Sequence, residues 1–267
     1  MTISVVVITK NEEDRIKTCL ESVKWADEIV VIDNGSTDST LEIVKKYTEK
    51  IITFKDQDFS TIRNKGMEKA IGDWVLYVDS DERVLEGLKE EILKLVETEK
   101  TAYAISRRNI IFGKEVNYGP YKKDWVVRLL KKNNFETWFG KVHEQPKFKG
   151  ELGYTKNSLL HLTHRGIDQI VLKSLEWSKI DAKLRLESGH PRMSGWRFLR
   201  IFISEIFNQG VLRGGFLNGT ISIMDSLLQA FSMYLTYVRL WEIQQTKSLD
   251  EIYNDIDKKL IENNFNQ

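Results

Sequence analysis

Three carboxylates crowd the end of the segment "WVLYVDSDER", where an apolar run is followed by Asp79, Asp81 and Glu82. Two aspartates one residue apart at a strand end can meet a hard divalent cation, one directly and one through water, and Mg²⁺ or Mn²⁺ in turn holds phosphate oxygens. Such a cation would remove the repulsion between the carboxylates. The competing interpretation is that these residues begin a helix, where acidic side chains complement the helix dipole.

The strands that must position these carboxylates follow a repeated pattern. The runs "ISVVVIT" and "EIVVID" are typical of strands buried on both faces, and each precedes apolar residues at helical spacing. The helix after the second strand is offered an N-cap hydroxyl by Ser36 or Thr37. "IITF" and "DWVLYVD" predict a third and a fourth strand, and we expect the helix between them to end at Gly72.

Repeated strand–helix units predict right-handed crossovers and a mostly parallel, doubly wound sheet flanked by helices. Ligands bind at the carboxyl ends of the strands in such a sheet. Those ends carry Thr9 to Glu12, Asp33 to Ser36 and Asp79 to Asp81. The polar residues therefore stand where a ligand is expected.

The chain changes character after this sheet. Short strand-like pieces interrupted by turns run from Ala102 to about Leu162 and predict a mixed-sheet region, and the sequence beyond Asp168 is helical. The domains expected from this pattern are an α/β domain at 1–165, with a nucleotide-type half at 1–100 and a mixed-sheet half at 101–165, and a helical C-terminal region at 166–267.

Composition limits the partners. The chain has 267 residues with 40 basic and 39 acidic side chains, so its formal net charge of +1 does not indicate nucleic acid binding. The single cysteine, Cys19, has no partner for an internal disulfide and no companions for a zinc site, which is typical of a reducing compartment. No secretory signal is recognised before the first strand, and we expect a cytoplasmic protein.

The segments "SVVVITKNEED", "IVVIDNGSTDST", "RNKGMEKAIGDWVLYVDSDE" and "VHE" resemble the family 2 glycosyltransferases of the GT-A fold. The resemblance implies a GT-A α/β fold with a mixed-sheet acceptor region and a helical C-terminal extension. It also implies a metal-dependent, inverting transfer of a hexose from a UDP-sugar. The nucleotide-sugar contacts that it implies are Thr9, Asn11, Glu12, Asp33, Ser36, Arg63, Asn64, Asp79 and Ser80.

The resemblance also suggests a metal site and a base. Asp79 would face the ribose or sugar as part of the "DSD" pair, while Asp81 would ligate Mg²⁺ or Mn²⁺. His161 resembles a third metal ligand, although a packed strand histidine is the simpler interpretation. Glu144 occupies the place of the acceptor-side carboxylate and is the candidate base. His143 is the alternative base, because a neutral imidazole has the better pKa near neutral pH.

Arg128, in "VVRLL", either binds phosphate or pairs with a carboxylate. The segments "DWVVRLLKK", "FGKVHE" and "LLHLTHRG" resemble the subgroup that adds a sugar, often glucose, to the heptose of a lipopolysaccharide inner core. This resemblance implies a glycolipid or saccharide acceptor.

One C-terminal helix, "WRFLRIFISEIF", is amphipathic. The residues predicted on its apolar face are Trp196, Leu199, Phe202, Ile203 and Ile206, opposite Arg197, Arg200 and Ser204. Such a helix either packs against the catalytic domain or a second copy in a homo-oligomer, or lies in the interface of the inner face of the cell membrane as a peripheral anchor.

Two other functions compete with the transferase. A nucleotidyltransferase also uses metal-binding aspartates on an α/β fold, but it needs a glycine- and lysine-rich phosphate loop, and "VITKNEED" contains no glycine. A non-catalytic module for sugar nucleotides or membranes has no need to keep Asp79, Asp81 and Glu144 together. Both alternatives are disfavoured on these grounds.

Overall fold

The computed structural model describes residues 1–55, 58–140 and 144–262, and the chain divides into two compact units, Met1–Thr163 and His164–Gln267. The strands described in the first unit are β1 (Ile3–Thr9), β2 (Glu28–Asp33), β3 (Ile51–Thr53), β4 (Trp74–Asp79), β5 (Glu82–Arg83), β6 (Ala102–Ile111), β7 (Lys114–Val116), β8 (Trp125–Lys131), β9 (Phe135–Phe139), β10 (Gln145–Phe148) and β11 (Leu152–Leu162). Its helices are α1 (Ile16–Val23), α2 (Thr40–Val44), α3 (Phe59–Lys69) and α4 (Glu86–Leu95).

The strands form a nine-stranded sheet in the order β3-β2-β1-β4-β8-β6-β11-β5, with β7 paired to β6, and β9 and β10 form a separate ribbon. Strands β1 to β4 run parallel to their neighbours among themselves, whereas β8 is antiparallel to both β4 and β6. The doubly wound class and the mixed-sheet region predicted from the sequence are confirmed.

The continuous apolar run of β1 is explained by helices on both faces of the sheet. Every residue of β1 is buried. Val5 and Val7 pack in one core with residues of α1 and α4, while Val6 and Ile8 pack in a second core with residues of α3. Because successive strand side chains point to opposite faces, a strand between two helix layers needs apolar residues at every position.

Two helix boundaries differ from the sequence prediction. Helix α2 begins at Thr40 with Ser39 as N-cap, because Ser36 and Thr37 instead bind the loop that follows β1. Helix α3 ends at Lys69 and not at Gly72. A Cβ atom on Gly72 would lie 2.7 Å from the backbone nitrogen of Ser4, so this glycine permits a close approach to β1.

The three carboxylates at the end of β4 do not begin a helix. Glu82 belongs to the short strand β5, which the sequence did not predict, and α4 begins only at Glu86. The helix-dipole interpretation of these carboxylates is therefore wrong. They lie at the edge of the sheet, where β5 pairs with the end of β11.

The second unit is helical. Its α-helices are α5 (Ile167–Glu187), α6 (Gly195–Phe207), α7 (Thr220–Ile243) and α8 (Leu249–Glu262). Its compact core consists of four buried residues, Ala182, Met193, Ile201 and Leu240, with Phe198 and Tyr237 packed against them. Among the helices in the described ranges, none combines the length and the hydropathy that crossing a lipid bilayer requires.

The residue that α6 buries lies outside its predicted apolar face. Ile201 is its buried residue, and Phe198 and Phe202 make edge contacts with Tyr234. Phe202 belongs to the predicted face, but most of that face is open, since Trp196 is 70% and Ile203 is 57% exposed. Apolar spacing identified the amphipathic helix, but both of its sides carry aromatic or aliphatic residues.

The packing of α3 against β1 should be sensitive to a single carbon atom added at Gly66. A Cβ on Gly66 would lie 2.5 Å from Cγ1 of the buried Val6, so Gly66→Ala overpacks this contact and should cost about 1–3 kcal/mol. Gly195→Ala is the matched control, because a Cβ there meets nothing within 4 Å. Thermal unfolding followed by circular dichroism should show a lower midpoint for Gly66→Ala only, and equal midpoints would contradict this packing.

Candidate active site

The register of the parallel strands gathers the polar strand ends. Thr9 lies beside Asp33, and Ile8 lies beside Asp79, so the last residues of β1, β2 and β4 share one edge of the sheet. This edge is where an open α/β sheet binds its ligand. Residues separated by up to 70 positions in sequence therefore meet, as predicted.

Two loops at this edge are bound tightly to each other. The backbone N–H of Asn11 donates to Oγ of Ser36 at 2.9 Å, and Oδ1 of Asn11 accepts from the backbone N–H of Thr37 at 2.7 Å. The carboxylate of Asp33 accepts from the backbone N–H groups of Gly35 and Ser36, each at 3.1 Å. The predicted nucleotide contacts Asn11, Asp33 and Ser36 thus shape the rim of the site through their own hydrogen bonds.

Thr9 and Glu12 complete this rim. The Thr9 side chain is buried, and its Oγ1 has no hydrogen-bond partner among the described residues. A buried hydroxyl without a partner is costly unless a ligand or water completes it. Glu12 pairs with Arg15 at 3.0 Å, and its backbone N–H donates to Oγ1 of Thr40 at 2.8 Å.

Asp79 lies between two arginines. Nη2 of Arg63 is 3.1 Å from its Oδ1, and Nη2 of Arg128 binds its Oδ2. Burial raises the pKa of Asp79, but the charges of Arg128 and Arg63 outweigh burial and hold this pKa well below its usual range. Asp79 is therefore an anion with two guanidinium partners, and Arg128 pairs with carboxylates as one of its two predicted roles.

Glu82 is the buried anion beneath this pair. Its side chain is 0% exposed, and it accepts from Nη2 of Arg128 at 3.1 Å and from the backbone N–H of Asp79 at 3.0 Å. Arg107 lies 3.8 Å away. Sequence reasoning noted this third carboxylate but did not assign it to the site, and only the partners contributed by β6 and β8 reveal its position.

Arg63 connects the strand end to Glu144. Its Nε donates to Oε1 of Glu144 at 2.8 Å while its Nη2 reaches Asp79. The guanidinium lies 5.6 Å from the ring centre of Tyr77 and 5.3 Å from that of Trp138. The rigid guanidinium of Arg63 therefore holds the candidate base, Glu144, and Asp79 close to each other.

Asn64 is a predicted diphosphate contact, but its side chain binds the protein backbone. Its Oδ1 accepts from the backbone N–H of Trp138 at 2.8 Å, and its Nδ2 donates to the carbonyl of the same residue at 2.9 Å. Both ends of the amide thus hold β9 against α3. Ser80 is buried, and its carbonyl accepts from Nη1 of Arg83 at 2.8 Å, which fixes the turn between β4 and β5.

Asp81 and His161 face each other. Oδ2 of Asp81 is 3.4 Å from Nε2 of His161, and the backbone carbonyl of Asp81 accepts from the N–H of Leu162 at 2.9 Å. Within residues 1–55, 58–140 and 144–262, no group of three or more His, Cys, Asp or Glu is arranged to hold a metal ion. The predicted set of three is not supported, because the oxygens of Asp79 face arginines.

Two protein donors still fit a cation that is shared with a ligand. Mg²⁺ commonly uses one or two carboxylates and completes its shell with water and substrate phosphates. The arginine pairs of the site join Asp79, Glu82, Asp124 and Glu144 to Arg63, Arg107 and Arg128. Asp81 is paired with His161. The alternative base, His143, lies outside the described residues.

Comparison with known proteins identifies the family of this chain. The model of glycosyl transferase family 2 matches residues 4–150, more than half of the chain, and the chain belongs to this family. Its fold is accordingly the GT-A fold. Family membership sets the nucleotidyltransferase alternative aside.

Two glycosyltransferases and one crystal structure are similar to this chain. An uncharacterized glycosyltransferase of Rickettsia typhi is 28% identical, covering 95% of this chain and 91% of its own. The lipopolysaccharide core biosynthesis glycosyltransferase LpsC of Rhizobium meliloti is 27% identical, covering 92% and 94%. A crystal structure of S. aureus TarS with UDP-GlcNAc is 18% identical, covers 90% of this chain and 83% of that one, and has a TM-score of 0.47.

Removing the charge of Asp79 should destabilise the first unit. Asp79→Asn leaves Arg63 and Arg128 without their shared counter-ion, which should cost about 3–5 kcal/mol at pH 7. Because the folded-state pKa of Asp79 is lowered, its contribution is complete above the unfolded pKa of about 3.9 and is lost as the pH falls through the folded value. Urea unfolding of both proteins should therefore show a difference that shrinks below about pH 4.

The control for this prediction is Glu86→Gln, which removes an exposed carboxylate paired only with Lys89 three residues away. It should leave the unfolding midpoint nearly unchanged at every pH. A difference between Asp79→Asn and the unmodified protein that grows on acidification would contradict the pairing described here.

Proposed function

We propose that the chain is a metal-dependent, inverting hexosyltransferase that moves a hexose, with glucose as the first candidate, from a UDP-sugar to a glycolipid acceptor. The observation that carries this proposal is the bridge formed by Arg63. It holds Glu144, the acceptor-side carboxylate, and Asp79, the donor-side strand end, on one guanidinium. Family membership supplies the reaction class, and LpsC, named for lipopolysaccharide core biosynthesis, motivates the acceptor.

The donor is assigned to the edge formed by β1, β2 and β4. The buried Oγ1 of Thr9 lacks a partner among the described residues, and so do the buried Nη1 of Arg63 and Nε of Arg128. A nucleoside diphosphate can satisfy such donors, since its ribose carries hydroxyls and its phosphates accept from arginine. We assign Thr9 and the rim of Asn11 and Asp33 to the nucleoside, and the arginines to the diphosphate end.

Glu144 is assigned as the base. In an inverting transfer the acceptor oxygen bonds to the anomeric carbon as its proton passes to the base, and the bond to the nucleoside diphosphate breaks with its electron pair. The Glu144 oxygen Oε1 accepts from Arg63, so Oε2 is the oxygen that we assign to proton transfer. The guanidinium keeps the carboxylate in place beside the reacting centre.

Asp81 and His161 are the residues that would hold Mg²⁺ or Mn²⁺. A divalent cation at this position neutralises charge on the departing diphosphate. Asp81 supplies a carboxylate oxygen, and His161 supplies a ring nitrogen 3.4 Å from it. Asp79 is assigned to the donor through its arginine partners and not to the metal.

Membrane association is assigned to the open face of α6. Trp196, Leu199, Ile203 and Phe207 line a groove of about 320 Å³ together with Arg200 and Ser204. The segment 190–217 contains four arginines and one glutamate. An apolar helix face flanked by arginines fits the surface of an anionic membrane, where a glycolipid acceptor is presented. The proposal therefore places the protein on the inner face of the cell membrane.

Catalysis should depend on the carboxylate of Glu144. Glu144→Gln keeps an acceptor for Nε of Arg63 but cannot take the proton, so turnover should fall about 10²–10⁴-fold. The assay follows nucleoside diphosphate release from UDP-, GDP- and dTDP-sugars with Mg²⁺ or Mn²⁺ and a bacterial glycolipid extract. Glu136→Gln, which changes an exposed carboxylate on the same ribbon, is the control and should keep full turnover.

Three outcomes of this assay decide the proposal. Consumption of a UDP-sugar that requires metal and is lost in Asp81→Ala supports it. Glu144→Gln with more than about a tenth of normal turnover removes Glu144 as the base. Release from no donor with either metal overturns the transferase assignment for this site.

The open face of α6 should bind anionic vesicles. The protein is expected to float with phosphatidylglycerol-containing liposomes, and the double change Leu199→Ser and Ile203→Ser should leave it in the bottom fraction, because it removes exposed apolar contacts. Leu172→Ser, at a position on α5 that is 62% exposed, is the matched control and should float normally. Equal flotation of all three proteins would show that α6 is not the binding face.

A further inference from the structure

A row of polar side chains that includes the buried Asn109 lies behind His161, outside the residues assigned to substrate. Asn109 on β6 is the strand partner of His161 on β11, and its side chain is buried. The ring Nδ1 of His161 is 2.6 Å from Oδ1 of Asn109. Nδ2 of Asn109 donates to Oδ2 of Asp124 at 3.0 Å, and Arg107 holds both oxygens of Asp124 at 2.9 and 2.7 Å.

The hydrogen-bond direction along this row is fixed by Asp124. An ionised carboxylate only accepts hydrogen bonds, so the Asn109 atom that faces it must be the amide nitrogen. The two-point contact with Arg107 keeps Asp124 in its ionised form and in one orientation. The amide oxygen of Asn109 therefore points at His161, and Nδ1 of His161 must carry the proton that is shared with it.

The consequence appears at the opposite ring nitrogen. With the proton on Nδ1, a neutral His161 presents the lone pair of Nε2 towards Oδ2 of Asp81 at 3.4 Å. Two acceptors that face each other at this distance repel unless a cation or a proton lies between them. An imidazole ligand whose other nitrogen donates to a neighbouring oxygen is the usual arrangement around a protein-bound metal.

We propose that Asn109 is a positioning residue that holds His161 in the Nδ1–H tautomer, so that the Nε2 lone pair stands ready beside Asp81 before any metal binds. The inference rests on the proposed metal-dependent function. It extends that function to a set of residues on β6 and β8, because Asp124 and Arg107 set the direction of the Asn109 amide.

The tautomer is tested first on the unaltered, metal-free protein at pH 8, by ¹⁵N–¹H correlation spectra of the histidine rings. His161→Gln assigns the signals, since the chain has four histidines. A protonated Nδ1 and an unprotonated Nε2 are expected. The opposite pattern, with the proton on Nε2, or equal signals from both tautomers, would overturn the inference.

The second test measures Mn²⁺ binding directly, by electron paramagnetic resonance of free Mn²⁺ with UDP present. Asn109→Leu should weaken Mn²⁺ binding about 10–100-fold, because His161 loses the contact that fixes its ring. Ser106→Ala is the matched control: Ser106 and Ser158 form a similar cross-strand pair at 2.6 Å on the same strands, and its loss should not change Mn²⁺ affinity.

The outcomes separate this inference from the proposed function. Mn²⁺ bound equally well by Asn109→Leu and by the unaltered protein would refute the positioning role and leave metal dependence intact. If the unaltered protein binds no Mn²⁺ while His161→Gln behaves the same, the metal part of the proposed function is wrong. The ring spectra then decide the tautomer by themselves.

Discussion

A carboxylate held between two buried guanidinium groups organises this protein. Asp79 ends the parallel strand β4, while Arg63 comes from α3 and Arg128 from β8, so the pairing joins the parallel part of the sheet to its antiparallel part. A buried charge is tolerated only when it is paired and hydrogen-bonded. The same requirement places Glu82 beneath Arg128 and brings Glu144 to the remaining side of Arg63.

The sheet could be predicted because the pattern that specifies each strand lies within the strand itself. A strand covered by helices on both faces must be apolar at every position, and β1 and β4 have that pattern. Local patterns failed where distant contacts decide. The start of α2 depends on hydrogen bonds between Ser36 and Asn11, and β5 exists because β11 lies beside it. Neither partner can be identified from the segment itself.

The same distinction applies to the site. Residue types at strand ends predicted that Thr9, Asp33, Asp79 and Asp81 would meet, because parallel strands bring their carboxyl ends to one edge. The sequence did not reveal which partner each of these polar side chains binds. Asn64 makes hydrogen bonds to the backbone of Trp138, and Asp79 pairs with arginines. Both types of residue are equally able to contact a ligand.

The position of β8 has a consequence for how the protein is made and how it evolves. β8 lies between β4 and β6, so the earlier strands end in an open edge until residues 125–131 have been synthesised. At about 5–20 residues per second, that edge waits several seconds for β8, and Asp79 waits as long for Arg128, the second of its two arginine partners. Residues 1–100 thus leave one edge of the sheet unpaired, and recombination that replaces residues 101–163 must also supply a strand with an arginine at the position of Arg128.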